Sequence, residues 1–158
     1  MAGKKIKTFG DGVPYIEPGG GALTFTWLID FVMFVLLFGV GALIALRIGE
    51  ALDLSNNAVA LGVLATLFVT PLVYGLFYTN GRALGAVCTG TRLVRASDGG
   101  RIGAKGPWAM LVRTILLPLL IIAVVVGGGY ADGSLKRISI DEKRTRALQE
   151  SGYPATPR

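Results

Sequence analysis

Two side chains could do chemistry inside the longest apolar stretches of this 158-residue chain, Asp30 and Arg113. Asp30 is the only charge between Pro18 and Leu46, and Arg113 is the only charge between Gly106 and Ala131. An Asp or Arg at the centre of a membrane helix costs roughly 2.5–3.5 kcal/mol on insertion scales, so neither should face lipid alone. Their opposite signs predict an ion pair or a shared hydrogen-bond network. Such a pair could pin one helix to another, hold an ion or proton, or meet a polar residue of a partner. Other chemistry is thin. The chain has no His and one cysteine, Cys88. That excludes haem ligation of the usual His type, a Cys-His zinc site and Ser-His-Asp catalysis. Glu50 and Asp53 could share one side of a helix end, where a solvated end is the plainer reading. We expect no catalytic residue, no metal ligands, no cofactor and no enzyme.

The elements that must position Asp30 and Arg113 follow from composition. Hydrophobic residues make up 52% of the chain and charged residues 16%, against about 25% charged in soluble domains. Mean hydropathy is +0.59. The same figures exclude disorder, and the single cysteine excludes a soluble disulfide scaffold. A spanning helix needs about 20 mostly apolar residues, and three runs qualify. The expected fold is all-α, with three transmembrane helices near Leu23–Leu46, Ala58–Tyr78 and Pro107–Gly127. Apolar residues occupy the whole circumference of each, with no polar face at helical spacing. Trp27, Tyr74, Tyr78, Trp108 and Tyr130 fall near helix ends, where aromatic rings prefer the headgroup layer. Helices 1 and 3 enter from the same face. At 1.5 Å per residue, Asp30 lies about 10 Å deep and Arg113 about 9 Å deep, so the two can meet. Thr24, Thr26, Thr66, Thr70, Tyr74 and Thr114 are the other polar groups within the spans, apart from Trp27. The first run starts too late and runs too long for a cleavable signal peptide.

Charge sets the expected orientation. The N-tail, residues 1–21, and the segment 79–106 together hold eight Lys and Arg, and the loop 47–57 holds one. The positive-inside rule then places the N-terminus in the cytoplasm. Three full crossings would leave the polar tail 131–158 outside with six basic residues, which the rule disfavours. An arrangement in which the third run turns back near Pro118 or Gly127-Gly128-Gly129 keeps the tail inside. The basic segment carries Arg82, Arg92, Arg95, Arg101 and Lys105. Its expected partners are anionic lipid headgroups, at roughly 1 kcal/mol per Lys or Arg near the surface, or a partner protein. The net charge of +6 needs no nucleic acid to explain it. Residues Thr91 to Ile102 alternate around Asp98-Gly99-Gly100, which predicts a short cytoplasmic hairpin or loop at the membrane surface.

The stretch Gly81 to Gly100, GRALGAVCTGTRLVRASDGG, resembles the signature of the RDD family of small bacterial membrane proteins. That signature has the form GxxxGxxxxGxRVV followed by an acidic-glycine turn. Gly81, Gly85, Gly90, Arg92, Leu93 and Val94 stand at that spacing, and Asp98-Gly99-Gly100 supplies the turn. Leu28-Ile29-Asp30 resembles the family's leucine-isoleucine-aspartate, and Arg113 a recurrent arginine at the start of the following helix. The resemblance covers about residues 22–145 and implies a divergent member with a transmembrane domain at 22–130. The family's arginine ahead of the Asp is missing from Ala22 to Thr26. Ala86 stands where a basic residue is common. The family's late His-Asp-Arg motif has only Asp141 as a counterpart. The resemblance implies transport of ions or small solutes.

Past the third run, Ile140 to Gln149 reads as a short helix, with Ser139 as cap and Glu142 completing a capping box. Gly152 and Pro154 would end it. Together these features lead us to expect an accessory subunit in a bacterial cell membrane, in contact with lipid and other integral membrane subunits. A respiratory-chain assembly is one candidate host. The alternative is a small ion or solute transporter that works as an oligomer around Asp30.

Overall fold

A computed structural model describes residues 6–116 and 137–152. Two long helices dominate it, α1 (Gly20–Ala51) and α2 (Asn56–Tyr74). The α2 path continues as a 3-10 stretch over Gly75–Asn80. Both are long and apolar enough to cross a membrane, and only 11% and 17% of their most apolar windows is buried. Leu36, Leu43, Leu61 and Val69 are each more than half exposed. A soluble core helix would hide such residues, so the surface these helices present is suited to lipid.

The two helices form an antiparallel hairpin joined by a turn at Leu52–Ser55. Asp53 takes the left-handed conformation there, and the Ser55 hydroxyl accepts from the Ala58 amide at the start of α2. Small residues let the backbones approach. Gly41 faces Thr66, Gly62 faces Ala45, and a side chain at Gly49 would strike Val59. Gly41, Ala45 and Gly49 recur every four residues, the small-residue stripe that packs membrane helices. At 1.5 Å per residue α1 is about 48 Å long, more than the roughly 30 Å that a crossing of hydrocarbon needs.

The remaining elements are short. β1 (Ile6–Thr8) and β2 (Pro14–Ile16) form an antiparallel hairpin ahead of α1. After the 3-10 stretch come α3 (Leu84–Thr89) and β3 (Thr91–Arg95). A turn and a 3-10 segment over Gly103–Lys105 lead to α4 (Gly106–Leu111). A π-helical turn, Val112–Leu116, carries Arg113. β4 (Arg137–Asp141) and α5 (Glu142–Glu150) follow. One core, Tyr74, Tyr78, Ala83, Ala109 and Met110, joins α2 to α4. A second, Phe9, Tyr15, Val94 and Ile140, joins the first hairpin to β3 and β4.

Several expectations need correction. The fold is mostly helical but not all-α, because two two-stranded sheets are present. Residues 6–16 form a hairpin with buried Phe9, Tyr15 and Ile16 rather than a plain polar tail. The Asp98 turn forms, with its carboxylate accepting from the Gly100 amide, but no hairpin follows it. β3 instead pairs with β4, Thr91 opposite Asp141 and Arg95 opposite Arg137. Ile140 is therefore a strand residue, and Asp141, not Ser139, caps α5 by accepting from the Arg144 amide at 3.1 Å. The α-helical part of the second run ends at Tyr74, not Tyr78, next to Pro71 and Gly75. Helix 1 extends past its expected bounds at both ends. The expected third span, Pro107–Gly127, coincides with α4 and the π turn up to Leu116. The rest of it, with Pro118 and Gly127-Gly128-Gly129, lies outside the described residues, as do Tyr130 and Pro154.

Candidate functional site

The site is a polar cluster between α1, α2, α3 and the π turn. Asp30 is fully buried on α1. Its Oδ1 accepts from the Gly85 amide at 2.8 Å and from the Tyr74 hydroxyl at 3.1 Å. The Tyr74 oxygen in turn accepts from the Leu84 amide at 3.1 Å. Leu84 and Gly85 open α3, and a helix's first amides lack intrahelical partners. One carboxylate and one phenol on other helices thus cap α3. Gly85 is required by space. A Cβ there would collide with the Thr26 carbonyl and lie 2.9 Å from Asp30 Cγ.

The structure places the Arg113 guanidinium beside Asp30, with Nη1 3.6 Å from Oδ2. At that distance it is a charge contact rather than a hydrogen bond. Nη1 donates instead to the Tyr78 hydroxyl at 2.6 Å, and the guanidinium carbon lies 5.9 Å from the Tyr78 ring centre. Oδ2 of Asp30 is buried without a hydrogen-bond partner among the described residues. The Arg113 carbonyl accepts from Trp27 Nε1 at 3.3 Å. A π turn leaves backbone groups out of the α-helical ladder and often marks a functional site.

A cluster of hydroxyls lies one turn from Asp30. Thr26, Thr89 and Thr91 are mutually hydrogen-bonded at 2.5–3.2 Å. They tie α1 to α3 and β3. Thr24, Thr66 and Thr114 bond carbonyls of their own helices.

The glycine-rich motif has a physical reason at each position. Gly81 has φ +74°, and a Cβ there would strike the Leu93 carbonyl. Gly90 ends α3 with φ +67°, and its carbonyl accepts from the Glu142 amide. Arg92 donates to the Asn80 carbonyl at 3.1 Å and to its side chain at 2.9 Å. Asp98 meets Arg95 at 2.8 Å. Its carboxyl is held below the usual range by the Gly100 amide, the Ser97 hydroxyl and Arg95.

The five basic residues of this segment divide. Arg82 and Arg92 meet Glu142, and Arg95 meets Asp98. Arg101 and Lys105 are exposed, with no carboxylate partner among the described residues. Cys88 is exposed.

Sequence reasoning missed three residues. Tyr74 and Tyr78 were expected in the headgroup layer, yet both are buried and aim their hydroxyls at the charge pair. Glu142 was expected only as a capping-box residue. It receives Arg82, Arg92 and Arg146 and holds β3, α5 and the segment after α2 together. The surplus of base over acid in the 79–106 segment, where Asp98 is the one acid, was the available signal. Among the described residues no cluster of His, Cys, Asp and Glu could hold a metal ion. Compared with protein-family models, curated proteins and solved structures, the chain matches none.

Proposed function

We propose that this chain is a non-catalytic accessory subunit of a larger bacterial membrane complex, and a divergent member of the RDD family. It sits in the cell membrane with its N-terminus in the cytoplasm, and a respiratory-chain assembly is one candidate host. The observation that carries this reading is how the two intramembrane charges are used. Asp30 caps α3 and contacts Arg113, and Arg113 bonds Tyr78. Charges committed to joining four elements act as a scaffold. The outward apolar faces of α1 and α2 supply area for lipid and for partner helices. An apolar groove of about 490 Å³ between them, lined by Phe38, Leu46, Val63 and Leu67, offers shape as well as area. Purification of the full chain from its own membranes in mild detergent, with mass spectrometry, tests the reading. Foreign membrane subunits in fixed ratio are expected. Recovery of the chain with copies of itself alone counts against it.

One observation favours a second reading, a small ion or solute transporter working as an oligomer around Asp30. Among the described residues Oδ2 of Asp30 accepts no hydrogen bond, its one charge contact being Arg113, which leaves it a lone pair for a cation or proton. In reconstituted vesicles that reading requires flux from the parent chain and its loss in Asp30→Asn. No flux from the parent, or equal flux from the variant, disposes of it.

A further inference from the structure

We infer that the β1–β2 hairpin, the segment between α2 and α4, and β4 with α5 all lie on one side of the bilayer. The inference concerns topology and stands apart from the choice between subunit and transporter. β1 and β2 lead directly into the N-terminal end of α1. β3 follows the end of α2, which returns antiparallel to α1, so both lie at the same end of the helical hairpin. β4 then pairs with β3 over five residues in register. α5 reaches the first hairpin as well. The Ile16 amide donates to Thr145 Oγ1 at 3.1 Å, and Gln149 Nε2 donates to the Pro14 carbonyl at 3.1 Å. Gly10 donates to the Ala96 carbonyl at 3.0 Å. Hydrogen bonds of about 3 Å cannot reach across roughly 30 Å of hydrocarbon. The turn at Leu52–Ser55 is therefore alone at the opposite side among the described residues.

α4 starts on the side of the sheets, because Gly106 packs on Gly75 and Thr79 at the end of α2. By Arg137 the chain is on that side again. α1 and α2 are the two crossings that the described residues make. Charge agrees. Arg137, Lys143, Arg144 and Arg146 join the basic residues of the 79–106 segment, and Arg47 is alone near the opposite turn. The positive-inside rule favours this arrangement, with Arg47 on the far side beside Glu50.

The test uses single cysteines in the full-length chain with Cys88→Ser as background. Thr8→Cys, Lys143→Cys and Asn57→Cys are labelled with a membrane-impermeant maleimide, in intact cells and after permeabilisation. All three positions are exposed. Thr8→Cys and Lys143→Cys are expected to behave alike, and Asn57→Cys in the opposite way. A second readout guards against a misfolded variant. Leu93 and Ser139 are direct partners in the ladder, and both kinds of antiparallel pair lie within disulfide reach. The double cysteine variant should cross-link in oxidised membranes. Lys143→Cys labelling together with Asn57→Cys, or full-length chain that fails to cross-link, overturns the proposal.

Discussion

Gly85 donates its amide to Asp30 at 2.8 Å, and the volume of a methyl group at Gly85 is already filled by Asp30 and Thr26. The glycine and the aspartate are 55 residues apart in sequence and each explains the other. The carboxylate satisfies an orphan helix amide, and the missing side chain gives the carboxylate room.

Gly85→Ala should therefore destabilise the protein by overpacking, by about 1–3 kcal/mol. Gly39→Ala makes the control, since nothing lies within 4 Å of its added carbon. It should be neutral or stabilising, by up to about 1 kcal/mol, because alanine favours helix more than glycine does. Thermal unfolding in one detergent compares the two. Equal effects at both positions would show that the close approach at Gly85 is not real.

The pair formed by Asp30 and Arg113 should show strong coupling. Removing one member leaves an uncompensated buried charge, at a cost of about 3–5 kcal/mol. Asp30→Asn and Arg113→Gln are each expected in that range, and the double variant should cost much less than their sum. A double-mutant cycle on unfolding in detergent measures this, and strict additivity would mean the charges do not interact.

Glu142 predicts a local effect. Glu142→Gln removes the charge that Arg82, Arg92 and Arg146 share. Hydrogen bonds to charged groups contribute about 1.5–3 kcal/mol, and exposure of Arg82 and Arg146 puts the expected loss at the lower end. Amide exchange should rise in β3, β4 and α5 while α1 and α2 stay protected. Exchange that rises evenly along the chain would argue for global destabilisation instead.

Tyr15 gives a pH dependence on the water side. Burial pushes its phenol above the ordinary value of 10.0, and Lys7 opposes part of that rise. A folded pKa above the unfolded one means that the neutral phenol stabilises the hairpin. That contribution is fully present below about pH 10 and is lost as pH rises through the higher folded value. Amide exchange in β1 and β2 should speed up in that alkaline window. Tyr15→Phe should flatten the response, and a variant as pH-sensitive as the parent would exclude Tyr15 as its source.

The two long apolar helices were legible because they depend on composition. Long runs with little or no charge mark α1 and α2 wherever their exact ends fall. The common level of Asp30 and Arg113 was legible because helix rise converts sequence position into depth. The sheet was not. Asp98-Gly99-Gly100 carries a strong local turn signal and forms a turn, but a turn does not choose a strand's partner. The partner of β3 lies beyond α4, and five-residue strands hold too little pattern to announce a distant pairing. Tyr74 and Tyr78 misled for a related reason. An aromatic ring near a helix end fits the headgroup layer as well as it fits a buried hydrogen-bonding role, and only the neighbouring Asp30 and Arg113 decide between them. The stripe of Gly41, Ala45 and Gly49 was present in the letters but its partners on α2 needed the hairpin.

The pairing of β3 with β4 also fixes an order of events during synthesis. Thr91 leaves the ribosome 50 residues ahead of Asp141, its partner, a delay of roughly 2–10 s at bacterial and slower elongation rates. For that interval β3 has an open edge and Arg82 and Arg92 lack their shared carboxylate. The module of β3, β4 and α5 closes only once β4 has been made, so its closure reports that translation has run past Asp141.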